Sequence, residues 1–208
     1  GDGSGFTNIT PTTSDGWVRE PSYSYTATRS INLGDKKLRI GSQESSQLYW
    51  GGGRICFTSS YTYVENLAEF YQTPQICWSW DDTTGVAAWY KITEDQLLLW
   101  VDARSYNAAS DDHKQCYLEI NLTNHSNPDG VKFIYGDTNS GVNTSTGNPY
   151  WNPRDGLVGI SYGSDSITTT SNTIDFTQNG STSILPPNCA VHLFTQSYTI
   201  GDGMDGMT

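Results

Sequence analysis

The sequence predicts an all-β protein, an antiparallel β-sandwich of the jelly-roll kind, and three observations support this prediction. Apolar side chains recur at every second residue, as in Cys116, Leu118 and Ile120, which is the period of a strand with one buried face. Clusters of Gly, Asn, Asp and Pro separate such segments. The 7 Trp, 13 Tyr and 6 Phe supply apolar volume in a chain with only 16% charged residues, and aromatic residues are scarce in disordered chains.

The elements follow from this alternation in chain order. Residues 1–16 have no apolar period and are predicted to be an extended N-terminal arm, followed by a single sandwich domain over 17–208. One or two helical turns fit residues 64–71. The run 97–101 is apolar at every position, which predicts a strand that lies centrally. The predicted strands are 24–33, 36–40, 54–59, 75–80, 86–92, 96–104, 114–122, 131–135, 157–162, 173–177 and 190–200.

The charge balance excludes several classes of partner. The chain has 22 acidic and 11 basic residues and a net charge of −11. Nucleic-acid binding needs clustered Lys and Arg, so no nucleic-acid partner is expected. No run of 18 apolar residues occurs, so no membrane span is expected. The acidic, aromatic, Thr-rich composition indicates a secreted protein, extracellular or on a cell surface, whose signal peptide has been removed.

The four cysteines lie far apart and lack the spacing of a zinc site. Cys56 and Cys77 have the opposite parity to their apolar neighbours and are expected on the polar faces of strands close in sequence. Cys116 and Cys189 share parity with apolar neighbours and are expected to face the core. This predicts the disulfides Cys56–Cys77 and Cys116–Cys189.

Five N-x-[ST] sequons are compatible with a glycoprotein. Asn121 has the outward parity of its strand and Asn124 lies in the following turn, so both are expected to carry sugar before Asn8, which a partner would hide. The sequons are Asn8, Asn121, Asn124, Asn143 and Asn179.

The order of several segments resembles the nidogen-type β-sandwich of secreted matrix and microbial surface proteins. The segments are WGGGRICF (50–57), PQICWSWDD (74–82), QCYL (115–118), FIYGD (133–137) and GLVGI (156–160). The chain departs from that pattern in its four cysteines and its long N-terminal arm. The resemblance implies an extracellular adhesive or structural module without an established catalytic site.

No residue stands out as catalytic, and the protein is not expected to be an enzyme. Ser161 lies in a G-x-S-x-G sequence, but a nucleophile elbow needs a strand, a sharp turn and a helix, and Ser161 falls inside a predicted strand. The three histidines, His113, His125 and His192, have no identifiable acidic partner in the sequence.

Two further groups are candidates for binding a ligand. Asp81 and Asp82 are adjacent strand residues that point to opposite faces, which is unsuitable for glycoside hydrolysis. They are candidate Ca²⁺ ligands or turn residues that cap backbone N–H groups. Tyr150 and Trp151, in the irregular stretch 136–156, are candidates for a sugar-stacking platform or for a loop anchor. No other cofactor is expected.

The leading functional hypothesis is a non-enzymatic structural subunit that self-associates into an extracellular filament. The arm contains β-prone Phe6 and Ile9 without a hairpin partner, and such a segment can bind an open sheet edge of a neighbour. A head-to-tail contact of this kind does not close and gives fibres. A disordered leader is the other reading of the arm. The alternatives for function are a carbohydrate-binding module or lectin-like adhesin and, last, a glycan-active enzyme.

Overall fold

The computed structural model describes residues 5–20, 28–59, 67–81, 83–105, 112–138, 157–163 and 188–195. These residues form antiparallel sheets packed against each other, so the predicted all-β sandwich is confirmed. The elements are a 3-10 turn Thr13–Asp15, β1 Val18–Arg19, β2 Arg29–Asn32, β3 Leu38–Ile40, β4 Gln43–Ser45, β5 Gln47–Gly51, β6 Arg54–Cys56, α1 Leu67–Gln72, β7 Pro74–Trp80, β8 Thr83–Ile92, β9 Gln96–Ser105, β10 Lys114–Asn121, β11 Gly130–Tyr135, β12 Leu157–Tyr162 and β13 Ala190–Phe194. Predicted strand 173–177 lies outside the described residues.

The strands form two main sheets. The front sheet has the order β1-β8-β9-β10-β11-β13, the back sheet has the order β12-β7-β6-β5-β2, and β3 and β4 form a separate hairpin. In the front sheet Leu118 lies opposite both Leu99 and Phe133. Rows of this kind bring side chains from neighbouring strands together on one face.

The main core lies between the two sheets. Leu99, Leu118 and Phe133 of the front sheet form one buried cluster with Ile55 and Ile76 of the back sheet. Large aromatic rings supply much of the volume, including Trp50 and Trp78, whose centroids are 6.5 Å apart. The core therefore compensates with aromatic rings for the low aliphatic content of the chain.

Strand β9 confirms the prediction that this strand lies centrally, and both of its faces are covered. It pairs with β8 on one side and β10 on the other. Its inward residues Leu97 and Leu99 belong to the main core. Its outward residues Leu98 and Trp100 pack in a second apolar cluster on the other side of the sheet.

Strand β7 departs from simple alternation. Trp78 and Ser79 both donate their backbone N–H groups to the carbonyl oxygen of Gly53, at 3.0 and 3.1 Å, so two residues of β7 oppose one residue before β6. Beyond the bulge, the side chains of β7 point to the opposite faces from those that regular alternation would give. Trp78 packs in the main core whereas Trp80 packs on the outer side of the back sheet, although residues two positions apart share a face in a regular strand.

Helix α1 covers the outer side of the back sheet and overlaps the stretch 64–71 that was predicted to be helical. Phe70 packs there with Trp80. Beneath the helix the buried Arg54 donates from Nη1 to Glu69 Oε1 at 3.2 Å and to Gln75 Oε1 at 3.0 Å. Its guanidinium lies 4.1 Å from the centroid of the Trp80 ring. A buried, multiply bonded cation thus joins the helix to the sheet.

Candidate functional site on the outer face of the front sheet

The outward side of the front sheet is apolar around β9. Outward positions of a half-exposed antiparallel sheet are usually polar, so an apolar group there indicates that something covers it. The group, which we call the arm-binding face, draws on β8, β9, β10, β11 and the start of β13. Its members are Trp89, Leu98, Trp100, Tyr117, Ile134 and Ala190.

The N-terminal arm covers this face within the same chain. Phe6 is only 4% exposed, and its ring stacks on Trp100 with centroids 4.8 Å apart and an interplanar angle of 16°. Ile9 and Trp17 pack in the same cluster. Phe6 and Ile9, predicted to bind a neighbouring subunit, therefore contact the chain's own sheet in this structure.

Two glycines allow the arm to lie this close. A Cβ atom on Gly136 would lie 2.6 Å from Phe6 Cδ1, and a Cβ atom on Gly5 would lie 2.9 Å from Ile134 Cδ1. Both distances are below ordinary van der Waals contact. The fit between the arm and the sheet therefore depends on glycine, which has no side chain, at positions 5 and 136.

The described part of the arm is compact, whereas the arm was predicted to be extended. Residues 5–8 form a turn, and Thr12 Oγ1 donates to Asp15 Oδ2 at 2.7 Å across the 3-10 turn. The backbone hydrogen bonds that the structure describes for residues 5–17 run within this segment, so side chains make the contact with the sheet. The arm ends at Gly16, which has a φ of 83°, and β1 then pairs with β8.

The outward face becomes polar beyond Tyr117. Burial and the neighbouring Glu119 raise the pKa of Tyr117 well above its usual range, so its hydroxyl stays neutral at physiological pH. Lys132 Nζ lies 4.0 Å from Glu119 Oε2. The half-exposed Phe194, on β13, borders this region.

This polar region is concave. It forms a cleft of about 360 Å³ lined by hydrogen-bonding side chains and by Phe194; the polar members include Gln96, Glu119, Asn121, His125, Lys132 and His192. A ring beside convergent donors and acceptors suits a small polar ligand. Among the residues that the structure describes, no group of three or more His, Cys, Asp or Glu is arranged to hold a metal ion.

A second polar cluster lies where β9 and β10 meet. His113 Nδ1 and Asp102 Oδ1 are 2.9 Å apart, and Gln115 Nε2 donates to Asp102 Oδ2 at 3.1 Å. Burial lowers the pKa of His113, but the hydrogen bond and charge of Asp102, with Asp137 and Asp112, outweigh burial and raise the pKa overall.

No local pattern in the sequence predicts this pair, because the two residues are 11 positions apart and only the register of β9 on β10 brings them together. Ser161 lies inside β12, as expected, and is buried.

The candidate calcium ligand Asp81 is bound to a cation of the chain itself. Lys114 Nζ donates to Asp81 Oδ2, and both residues are buried. An ammonium in contact with the carboxylate favours an ion pair over a Ca²⁺ site, which would need several oxygen ligands. Asp82, Tyr150 and Trp151 lie outside the described residues.

The sequons differ in accessibility from the predicted order. Asn8 and Asn124 are both exposed. Asn121 is held between Gln96, which donates to its Oδ1 at 2.8 Å, and the carbonyl oxygen of Asn127, which accepts from its Nδ2 at 2.7 Å. The Asn121 amide is therefore the most restrained of the three. Asn143 and Asn179 lie outside the described residues.

The predicted disulfides are not formed, and the structure has all four cysteines as thiols. Cys56 lies opposite Gln75, and Cys77 lies opposite Arg54, so the two cysteines are diagonal neighbours. Diagonal Cα atoms in such a pair are about 7–8 Å apart, whereas a disulfide needs less than about 7 Å. Both are also buried, not on a polar face as predicted.

Cys116 and Cys189 face the core as predicted, but a strand separates them. Cys116 lies opposite Tyr135, and the Tyr135 N–H donates to the Cys189 carbonyl oxygen at 2.8 Å. The two cysteines are therefore two strands apart, which corresponds to roughly 9–10 Å. Parity identified the correct face, and it could not reveal the strand in between.

Comparison of the chain with protein-family models, with curated proteins and with solved structures gave no match. In the described part of the chain, helix α1 is far too short to cross a bilayer, and no helix there has the length and apolar character of a membrane span.

Proposed function

We propose that the protein is a non-enzymatic structural subunit of an extracellular or cell-surface assembly, in which the arm of one copy binds the arm-binding face of the next. The resemblance to nidogen-type domains, which are adhesive or structural modules, is in line with this proposal. So are the exposed sequons at Asn8 and Asn124, which suit a secreted glycoprotein.

The observation that carries the proposal is the docking of Phe6 against Trp100. The contact joins the arm to a sheet face through side chains, and the described backbone hydrogen bonds of the arm are internal to it. An element held in this way can leave its own face and make the same contacts on an identical face of a neighbour, which is domain swapping.

The exchange needs a hinge, and Gly16 is placed to provide one. It lies between the 3-10 turn and β1, in a left-handed conformation with φ 83°. Glycine changes its backbone angles at little steric cost. An arm that swings at Gly16 would reach a second copy while β1 stays paired with β8. An arm that has swung to a neighbour leaves its own face free for the arm of a third copy, so the contact is head-to-tail and continues into a filament.

A complementation experiment with two full-length variants tests the proposal. Phe6→Ala weakens the arm and keeps the face, whereas Gly136→Ala keeps the arm and obstructs the face, because its Cβ would lie 2.6 Å from Phe6 Cδ1. Each variant alone should fail to polymerise. An equimolar mixture should form 1:1 dimers and stop, because only one productive contact is available per pair. Sedimentation velocity distinguishes these species from the open-ended polymers expected of the unmodified chain.

Gly34→Ala is the matched control, because a Cβ at Gly34 meets nothing within 4 Å, and it should still polymerise. The proposal is overturned if the unmodified protein stays monomeric at high concentration. It is also overturned if both single variants polymerise as well as the parent chain does.

The second candidate is carbohydrate binding by the polar cleft beside the arm-binding face. The observation that favours it is the exposed ring of Phe194, 42% accessible, at the edge of a cleft that holds Glu119, Asn121 and His192. Sugar rings stack on such aromatic rings, and sugar hydroxyl groups form hydrogen bonds with planar polar side chains. Phe194→Ala should abolish glycan retention on an array without affecting assembly, and an array without any retained glycan would remove this candidate.

A further inference from the structure

A buried lysine and a buried aspartate are in direct contact at one end of the sandwich. Lys114 is 2% exposed and Asp81 is 8% exposed. Lys114 Nζ donates a hydrogen bond to Asp81 Oδ2. The contact spans 33 positions of the sequence and is independent of the arm and its binding face.

The pair lies inside the molecule and joins distant parts of it. Lys114 opens β10 and lies opposite Ala103 of β9, whose side chain belongs to the main core. Burial alternates along β10, which places Lys114 on the inner side of the front sheet. Asp81 follows β7 of the back sheet and precedes β8 of the front sheet. A bond between the two side chains would therefore connect β10 to the corner where the chain passes between sheets.

Burial makes this pair suited to react. Two charges removed from water lose their hydration, and their attraction only partly offsets that loss. Transfer of one proton from Nζ to the carboxylate gives a neutral amine beside a neutral carboxylic acid, which need no such hydration. A neutral amine is a nucleophile, and a partner held in contact corresponds to an effective concentration of about 10⁵–10⁸ M when well oriented.

We propose that Lys114 and Asp81 form an intramolecular isopeptide bond. The lone pair of the neutral Nζ attacks Cγ of the protonated Asp81 carboxyl, forming the N–C bond. One C–O bond then breaks, and the oxygen leaves as water with one proton of its own and one from nitrogen. No oxidant, reductant or other co-reactant is needed. The product is an amide that links β10 to the β7–β8 corner.

The bond would add a covalent cross-link where the structure has no disulfide between its cysteines. The cross-link closes a loop from position 81 to position 114, so it restricts the unfolded chain as a disulfide would. It also cannot be reduced, which suits a protein exposed to mechanical or chemical stress.

Mass spectrometry of the full-length protein, reduced and denatured, tests the proposal. The intact mass should be lower than the sequence mass by one water. Because a succinimide at Asp129-Gly130 would remove the same mass, a tryptic digest must also show a branched peptide that joins Lys114 to Asp81, with no cleavage after Lys114. Lys114→Arg and Asp81→Ala should each restore the full mass.

Two further variants make the result specific. Asp81→Asn should form the same amide with loss of ammonia in place of water, so its final mass equals that of the cross-linked parent. Lys132→Arg is the control, because Lys132 faces Glu119 on the outer surface, and it should keep the branched peptide. An unmodified intact mass in the parent chain, with Lys114 cleaved normally by trypsin, would overturn the proposal, and this result needs no variant to fold.

Discussion

Gly53 precedes β6, and its carbonyl oxygen accepts hydrogen bonds from both Trp78 and Ser79. Its φ is +80°, and a Cβ built on it would lie 1.7 Å from the carbonyl oxygen of Ser79. The residue therefore has two independent reasons to be glycine, the left-handed backbone and the close approach of β7. The bulge that it supports decides which way Trp80 points.

Gly53→Ala should destabilise the fold far more than Gly34→Ala does. Gly34 also has a positive φ, +70°, but a Cβ there meets nothing within 4 Å. Its replacement should cost about 1–2 kcal/mol, the cost of the left-handed backbone alone. Gly53→Ala adds a backbone clash and should lower the free energy of unfolding by about 4 kcal/mol or more. Urea unfolding followed by tryptophan fluorescence measures both, and equal costs would contradict the bulge argument.

His113 makes stability depend on pH. Burial lowers its pKa, but Asp102, Asp137 and Asp112 raise it overall above the ordinary 6.5. A group whose pKa is higher in the folded state stabilises the fold fully below its unfolded pKa, and this contribution disappears as pH rises through the folded pKa. His113 therefore stabilises the fold more in mildly acidic solution than in alkaline solution.

His113→Gln isolates this contribution, since Gln can still donate to Asp102 but carries no charge. The difference in unfolding free energy between the parent and His113→Gln should be larger at about pH 5.5 than at about pH 8.5. Urea midpoints at several pH values measure it. A difference that does not change with pH, or grows toward alkaline pH, would show that Asp102 does not raise the pKa of this histidine.

At the scale of elements, the pattern within a strand predicted its own character, but it did not predict which other elements the strand contacts. The unbroken apolar run in β9 correctly predicted a central strand, because an apolar character on both faces can be read from the strand's own sequence. The face change in β7 could not be predicted, since it depends on Gly53, a residue in another element. Phe6 and Ile9 were predicted to bind a neighbouring subunit. The face that they contact in this structure combines outward residues from several strands, whose order no local pattern contains.

The same limit explains why the disulfide predictions were wrong, and the reactivity of the four thiols tests the strand register. Cys56, Cys77 and Cys116 are buried, and burial raises the pKa of each thiol. Cys189 is more exposed, and burial raises its pKa as well. Thiolates react with alkylating reagents and thiols do not, so Cys189 should be labelled first in the native protein. The other three cysteines should react only after unfolding.

Quantitative alkylation with and without denaturant, read by peptide mass spectrometry, measures this order. Four alkylated cysteines in denaturant without a reducing agent would agree with the strand register. Disulfide-linked peptides that contain Cys116 and Cys189 would contradict it, because these residues flank Tyr135 across two strand spacings.

At the scale of the whole molecule, the front sheet separates two environments. Its inner side packs on the back sheet, and its outer side is apolar under the arm and polar beside it. An arm that leaves would expose Trp100 and Ile134 to water, which costs about 25 cal/mol for each Å² of apolar surface. A neighbour's arm removes that cost again. Under the proposed function the molecule would therefore have two low-energy arrangements, closed on itself or joined to another copy, and protein concentration would select between them.

Salt should favour the joined arrangement. Each copy carries a net charge of −11, so two copies repel one another at low ionic strength. Raising the salt from about 0.01 M to about 0.1 M shortens the Debye length from about 30 Å to about 10 Å, and the apolar contact of Phe6 with Trp100 is not weakened by this screening. Polymer mass at fixed protein concentration, measured by light scattering, should therefore increase with NaCl, whereas Phe6→Ala should show no increase. Assembly that weakens as salt is added would mean that ion pairs hold the copies together, and the arm-binding face would then not be the interface.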